Sequence, residues 1–93
     1  MPMKRAHIIY TGTVQGVGFR WTVQGIADSA GITGWVRNCP DGTVEVVCEG
    51  EKDDIDIFLN RIYKEMGPYI KSRNVNWNAA TSEFDRFGMK FFE

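Results

Sequence analysis

Residues 12–20, with the sequence GTVQGVGFR, are the stretch that most constrains the fold, because three of these nine residues are glycine. Glycine adopts backbone angles that other residues avoid, so the stretch is predicted to be a loop that turns several N–H groups toward one point. Residues 6–11 before it are rich in β-formers, and residues 21–30 after it carry apolar side chains at helical spacing. The sequence therefore predicts a strand, a glycine-rich loop and a helix in succession.

The rest of the chain continues this alternation. Residues 40–42, Pro-Asp-Gly, are a turn signal between two strand-like runs, which are expected to form a hairpin. The predicted elements after residue 30 are strands at 32–39, 43–49 and 70–78, a helix at 51–66, a loop at 79–85 and a possible last strand at 87–92. This β-α-β-β-α-β order predicts an α+β, ferredoxin-like sandwich: an antiparallel sheet with two helices on one face and a possible short extra C-terminal strand.

A chain of 93 residues is expected to form a single domain, residues 1–93. Its formal net charge of −1 argues against a dedicated nucleic-acid binder, which is usually strongly basic. No apolar run approaches membrane-spanning length, and the N-terminus lacks the pattern of a signal peptide. We therefore expect a cytoplasmic protein that binds neither nucleic acid nor membrane.

Alternation along the strands of the predicted hairpin indicates which of its side chains face the core and which face solvent. Cys48 is expected to face the core with Val44 and Val46, whereas Glu45 and Glu49 are expected on a solvated face. The two cysteines, Cys39 and Cys48, are offset along the two arms, beyond disulfide reach, and are expected to be free thiols. Two cysteines and the one histidine, His7, do not make a recognisable zinc site.

The glycine-rich loop has the composition of an anion site. Converging backbone N–H groups bind anions, and the start of a following helix adds partial positive charge. Arg20 stands at that start and carries a planar fork of donors that matches phosphate or carboxylate. The alternative is a turn that only requires glycine, with Arg20 in solvent. Nucleotide motifs do not fit, because Trp21 occupies the third glycine position of GxGxxG and no Gly-Lys-Ser/Thr follows.

Asn38, at the end of the second predicted strand, is another candidate. Asparagine is depleted in strands, and its amide offers enough donors and acceptors to hold both a water and a phosphate oxygen. It is also favoured just before turns, and Pro40 is two residues on, so both interpretations stay open. Asp41 is expected to be only the turn residue. His7 is expected at the surface, and Cys39 has no histidine partner to activate it.

The predicted site stabilises an anion and offers one amide. It has no general acid, no general base and no carboxylate cluster for magnesium, and this limits the reactions that it can catalyse. Phosphate esters usually need protonation or a metal to release their leaving group. Acyl phosphates release a carboxylate, whose acid has a pKa of about 4, and it leaves unaided. An enzyme for them has mainly to hold the phosphoryl group and aim a water in line with the departing oxygen.

Four segments resemble the acylphosphatase family: GTVQGVGFR at residues 12–20, GWVRN at 34–38, DGTVEV at 41–46 and EG at 49–50. The resemblance covers about the first half of the chain. It implies the ferredoxin-like fold and a small stand-alone enzyme that hydrolyses the carboxyl–phosphate bond without metal or cofactor. It also implies a small-molecule acyl phosphate as substrate, inorganic phosphate or sulfate as a product-like ligand, and a monomer.

The resemblance assigns roles by position. Arg20 corresponds to the family's phosphate-binding arginine, Asn38 to the asparagine that orients the attacking water, and Thr43 to a residue that supports Asn38 indirectly. The amide cradle corresponds to five loop residues: Gln15, Gly16, Val17, Gly18 and Phe19. One departure is Thr13, where a basic residue is common. The departure weakens the attraction for a dianionic substrate but leaves the catalytic pair in place.

Two other functions fit parts of the sequence. A ferredoxin-like domain without hydrolysis would hold a small anion, or a nucleic acid through aromatic residues such as Trp77 or Phe91. The net charge and the lack of an aromatic RNA-binding signature count against nucleic acid. Similar domains also begin the large carbamoyl-transfer proteins of hydrogenase maturation, which continue into cysteine-rich zinc segments. If the sequence to Glu93 is the whole gene product, it is expected to be a separate enzyme rather than the first part of such a protein.

Overall fold

The computed structural model describes residues 3–91, whose elements follow the predicted order. They are β1 (Met3–Gly12), α1 (Phe19–Ala30), β2 (Thr33–Asn38), β3 (Val44–Glu51), α2 (Lys52–Met66), a short 3-10 helix (Gly67–Tyr69), β4 (Ile70–Ala79) and β5 (Phe87–Lys90). The strands form one sheet in the order β4-β1-β3-β2-β5. Neighbours from β4 to β2 are antiparallel, while β5 lies parallel to β2. The ferredoxin-like fold and the extra strand are confirmed, and β5 makes the sheet mixed.

Helix α1 begins at Phe19, two residues earlier than predicted. Gly18 precedes it in the left-handed conformation, with φ 79°, so the chain turns directly into the helix. Arg20 therefore lies within the first turn, where backbone N–H groups have no partner inside the helix. The last strand ends at Lys90, and Phe92, the end of the predicted strand, lies outside the described residues.

One apolar layer joins the sheet to the two helices. On the sheet, the three residues of β3 that were expected to face the core are fully buried: Val44, Val46 and Cys48. On α2, residues at helical spacing pack against them, including fully buried Ile55, Phe58 and Ile62. Both cysteines are free, and burial raises the pKa of the Cys48 thiol to about 12, so Cys48 is a core residue. Neither helix of the described chain is long and apolar enough to cross a membrane.

Glu49 lies on the face of the sheet opposite the helices. The expectation that it is solvated was wrong, because its side chain is only 2% exposed. Its carboxylate accepts hydrogen bonds from the Arg5 guanidinium at 2.8 Å and from the backbone N–H groups of Thr81 and Ser82 at 2.9 Å. The connection between β4 and β5 crosses this face, since these strands are the two edges of the sheet. Glu49 therefore holds that connection against the sheet.

We expect Glu49→Gln to lower the free energy of unfolding at pH 7 by about 2–4 kcal/mol, because a buried charge with several donors is lost. Burial by itself would raise the pKa of Glu49, but the donors from Thr81, Arg5 and Ser82 outweigh it and hold the pKa below its usual 4.5. The stabilisation is therefore present above the unfolded-state pKa and is lost as pH falls through the lower folded-state pKa. Urea unfolding of both proteins between pH 7 and pH 2 tests this.

The difference between the two proteins should shrink below about pH 4.5, since the wild-type carboxyl then becomes protonated as well. Glu83→Gln is the matched control, because Glu83 also contacts Arg5 but is 56% exposed, and its effect should be much smaller. Equal effects of the two substitutions, or a difference that does not change with pH, would contradict the assigned role of Glu49.

Candidate active site

Asn38 and the glycine-rich loop lie at the same edge of the sheet. Strands β1 and β2 are both antiparallel to β3, which separates them, so they run in the same direction. The loop leaves the C-terminal end of β1 at Gly12, and Asn38 is the last residue of β2. Asn38 has the same orientation as fully buried Val36, two residues before it, and therefore faces the side on which the helices pack.

The backbone conformation of the loop leaves several of its N–H groups without a backbone partner. Gly16 and Gly18 have left-handed φ angles of 77° and 79°, which residues that carry a side chain rarely adopt. The first helical hydrogen bond runs from Thr22 N to Gly18 O at 3.0 Å. Within residues 3–91, no backbone carbonyl accepts a hydrogen bond from the N–H groups of residues 16–21. These donors are therefore available to a ligand.

Gln15 connects the loop to the hairpin that carries Asn38. Its side-chain Nε2 donates to the carbonyl oxygens of Cys39 at 2.8 Å and Thr43 at 2.9 Å. The resemblance to acylphosphatases assigned only the backbone of Gln15, and this side-chain role was not predicted. Its partners lie 24 and 28 residues away and are backbone atoms, so no local pattern of residue types indicates the contact.

The loop, the start of α1 and the end of β2 enclose a cavity of about 100 Å³. A single water needs about 10–15 Å³ of such a volume, so the cavity has room for several solvent molecules or a small oxyanion. Its lining brings together Val14, Gly16, Gly18, Phe19, Arg20, Trp21 and Asn38. Five predicted site residues are thus brought together. Gln15 and Val17 lie outside the lining, and Val17 is partly buried against the core.

Arg20 is the ionisable residue among those that line the cavity. Its guanidinium lies over the ring of Phe91, with Cζ 5.3 Å from the ring centroid. This distance is within the range of a cation–π contact, which leaves the donors at the rim of the guanidinium free for an anion. In the described part of the chain no carboxylate forms a salt bridge with Arg20.

Two larger hollows, of about 390 Å³ each, lie elsewhere on the surface. One is lined by Lys4, Lys52, Trp77, Asn78 and Ala79. The other is lined by Asn60, Tyr63, Ile70, Lys71, Ser72 and Arg73. Neither combines a set of free backbone donors at a helix start with an arginine and an amide, so the smaller cavity is the better candidate despite its size.

A sequence model of one family, described as Acylphosphatase, matches residues 6–89. The chain belongs to the acylphosphatase family. The match spans β1 to β5, so it includes both the glycine-rich loop and the strand that ends at Asn38. As an acylphosphatase, the enzyme hydrolyses acyl phosphates.

Individual relatives agree with the family. An acylphosphatase from Methanospirillum hungatei is 51% identical over 74 residues, which are 80% of this chain and 81% of that protein. One from Lactobacillus gasseri is 38% identical over 91 residues, or 96% of this chain and 100% of that protein. The crystal structure of acylphosphatase from Bacillus subtilis matches with a TM-score of 0.86 at 30% identity and covers 94% of this chain and 98% of that one.

In this acylphosphatase, Thr43 lies in the turn that follows Asn38 along the chain. Its hydroxyl donates to Asp41 Oδ1 at 2.7 Å, and its backbone N–H donates to the same oxygen at 3.0 Å. These bonds lower the pKa of Asp41 and confirm it as a turn residue. No hydrogen bond joins Thr43 to Asn38 within the described chain, so Thr43 rigidifies the turn that follows Asn38.

His7 belongs to an ion-pair network on the opposite face of the sheet. Its Nε2 lies 2.6 Å from one oxygen of Glu45, and Arg37 Nε lies 2.6 Å from the other. Burial would raise the pKa of Glu45, but His7 and Arg37 together lower it. Glu45 is 15% exposed, which corrects the prediction of a solvated residue. The network does not reach the cavity that holds Arg20 and Asn38.

The site therefore offers a cation, free backbone donors and one carboxamide. Among residues 3–91, no group of three or more His, Cys, Asp or Glu is arranged to hold a metal ion. Cys39 is half-buried beside Glu45 Oε1, with Sγ 3.9 Å away, and has no histidine in contact that would activate it. Such a donor set is suited to binding a phosphoryl group and positioning a nucleophile.

Proposed function

We propose that the enzyme cleaves acyl phosphates by in-line attack of a water that Asn38 orients. The phosphoryl group is held by Arg20 and the backbone amides of residues 15–19, and the products are a carboxylate and inorganic phosphate. The single observation that carries the proposal is the shared cavity, which Arg20 and Asn38 line together with Gly16, Gly18 and Phe19.

Arg20 and the free N–H groups act on the phosphoryl oxygens. The guanidinium pairs with two of them in a bidentate contact, and the amides at the start of α1 donate to the rest. Donors that are already oriented stabilise the charge of the transition state without rearranging during the reaction. This binding site also accepts inorganic phosphate, the product, and sulfate, which has the same shape.

Asn38 acts on the nucleophile. Its side-chain oxygen accepts a hydrogen bond from the water, and its amide N–H group donates to a phosphoryl oxygen, so one side chain fixes the angle between them. The water oxygen forms a bond to phosphorus as the bond from phosphorus to the acyl oxygen breaks. The carboxylate leaves with the electron pair, and the protons of the water pass to the phosphate product and to solvent.

This mechanism needs neither a metal nor a protein general acid. The departing carboxylate is the conjugate base of an acid with pKa about 4, so it does not require protonation. Positioning two reactants and stabilising charge supply the rate acceleration. Arg20 is the ionisable side chain among those that line the cavity, and the mechanism uses no other ionisable group.

The catalytic unit in this proposal is the monomer, and residues 1–93 act as one domain. All groups that the mechanism uses come from one chain. The two free thiols, Cys39 and Cys48, support a location in the reducing cytoplasm. The net charge of −1 supports a small-molecule substrate rather than a nucleic acid or an anionic membrane.

Hydrolysis of benzoyl phosphate by the purified protein tests the function. We expect turnover well above the buffer rate, and the same rate with or without EDTA, because no step uses a divalent metal. Circular dichroism controls for folding. A rate equal to buffer for a folded protein would contradict the proposal. If that protein still bound inorganic phosphate, the result would instead support a non-catalytic anion-binding domain.

A further inference from the structure

Trp21 has an exposure that the fold does not explain. Its side chain is 76% exposed, although tryptophan is highly buried on average. The other two tryptophans have cationic partners: Trp35 lies against Lys90 at 4.3 Å, and Trp77 against Lys52 at 5.2 Å from the ring centroid. Over residues 3–91, Trp21 has neither an aromatic nor a cationic partner.

Trp21 also lines the catalytic cavity, directly after Arg20 in the first turn of α1. The two other apolar side chains in that lining, Val14 and Phe19, are core residues with 0% and 2% exposure. Trp21 is therefore the lining side chain with a large apolar surface that a ligand can reach as it extends from the cavity into solvent.

The acyl group of a substrate has to extend in this way. The cavity is partly open to solvent, and its donors, Arg20 and the loop amides, are placed to hold the phosphoryl group rather than the acyl group. The acyl oxygen departs opposite the attacking water in an in-line displacement, so the acyl group points away from the water that Asn38 holds. It then lies at the rim of the cavity, where the lining side chain with accessible apolar surface is the indole of Trp21, since the exposed ring of Phe91 lies against the Arg20 guanidinium.

We propose that Trp21 is a specificity-determining residue that stacks on the acyl group and makes the enzyme prefer acyl phosphates with a planar aromatic acyl group. This inference rests on the proposed function, since it requires the phosphoryl group to occupy the cavity. An aromatic ring gains from stacking on the indole, whereas an acetyl group offers it one methyl group. Trp21 takes no part in bond making or breaking.

The test compares kcat/KM for benzoyl phosphate and acetyl phosphate in the wild type and in Trp21→Ala. We expect the ratio of the two values to fall about 3- to 10-fold in the variant, chiefly through a higher KM for benzoyl phosphate, as the loss of one aromatic contact predicts. The inhibition constant of inorganic phosphate should change less than about two-fold, because the cradle that holds phosphate does not use the indole.

Two further variants separate stacking from a structural role. Trp21→Phe should restore most of the preference, because phenylalanine retains an aromatic face. Trp77→Ala should leave the ratio unchanged, because Trp77 pairs with Ala6 at the opposite end of the sheet. An equal loss with both substrates, or an unchanged ratio in Trp21→Ala, would overturn the inference while leaving the proposed function intact. Failure of the wild type to hydrolyse either compound would overturn both.

Discussion

Arg20→Gln should lower kcat/KM for benzoyl phosphate by about 10³-fold or more and should abolish measurable binding of inorganic phosphate. Removing a single preorganised donor from an oxyanion site typically costs about 10²–10³-fold, and an arginine at a transferred phosphoryl group contributes about 10³–10⁵-fold. Arg20 is the ionisable residue of the cavity, so no other lining side chain can replace its charge. Steady-state kinetics and a phosphate titration by calorimetry measure the two effects.

Arg20→Lys distinguishes charge from shape in the same experiment. Lysine keeps the positive charge but lacks the planar fork, so binding should recover in part and the rate should stay well below that of the wild type. Arg86→Gln is the matched control, because Arg86 is exposed and its backbone carbonyl, rather than its side chain, contacts Gly34. Retention of activity within tenfold in Arg20→Gln would contradict the assignment of Arg20 to the phosphoryl group.

The parts of the fold that follow from short-range patterns could be predicted from the sequence. Alternation placed Val44, Val46 and Cys48 on the core face of β3, and their full burial confirms it. The Pro40–Gly42 turn joins the two strands as expected, with Asp41 as its hydrogen-bonding residue. In both cases the residues that decide the structure are neighbours in sequence, so local propensity and the global fold agree.

The polar side of the sheet could not be predicted in the same way. Charged residues that alternate with apolar ones usually mark a solvated face, and Glu49 followed that pattern. Its burial depends on Thr81 and Ser82, which are 32 and 33 residues away and lie on the connection that crosses the sheet. No local signal states where such a connection will run, so the pattern alone gave the wrong environment.

The residue types of the candidate site could be predicted from the sequence, but the way in which the fold assembles them could not. The composition of residues 12–20 indicated an anion site, and the resemblance to acylphosphatases assigned Asn38, for which residue type alone left two interpretations open. The parallel direction of β1 and β2 brings Asn38 to the loop, and that is a property of the whole sheet. The Gln15 side chain, which connects the two, was missed because its acceptors are backbone atoms in another element.

Asn38→Ala should lower kcat for benzoyl phosphate by about 10²–10³-fold and change the inhibition constant of inorganic phosphate by less than about threefold. The side chain aligns the attacking water only as the reaction proceeds, so its loss should reduce kcat and kcat/KM by similar factors and leave ground-state binding to Arg20 and the amides. This split between rate and affinity is opposite to the result expected for Arg20→Gln, in which both are lost.

Asn76→Ala is the matched control for this substitution, because Asn76 lies exposed on β4, paired with His7 and distant from the cavity. Its activity should equal that of the wild type. If Asn38→Ala instead weakened phosphate binding as strongly as it slowed turnover, Asn38 would act on the phosphoryl group rather than on the water. If the variant kept full activity, the cavity would have to orient its water through the backbone alone, and Asn38 would be only the residue that precedes the turn.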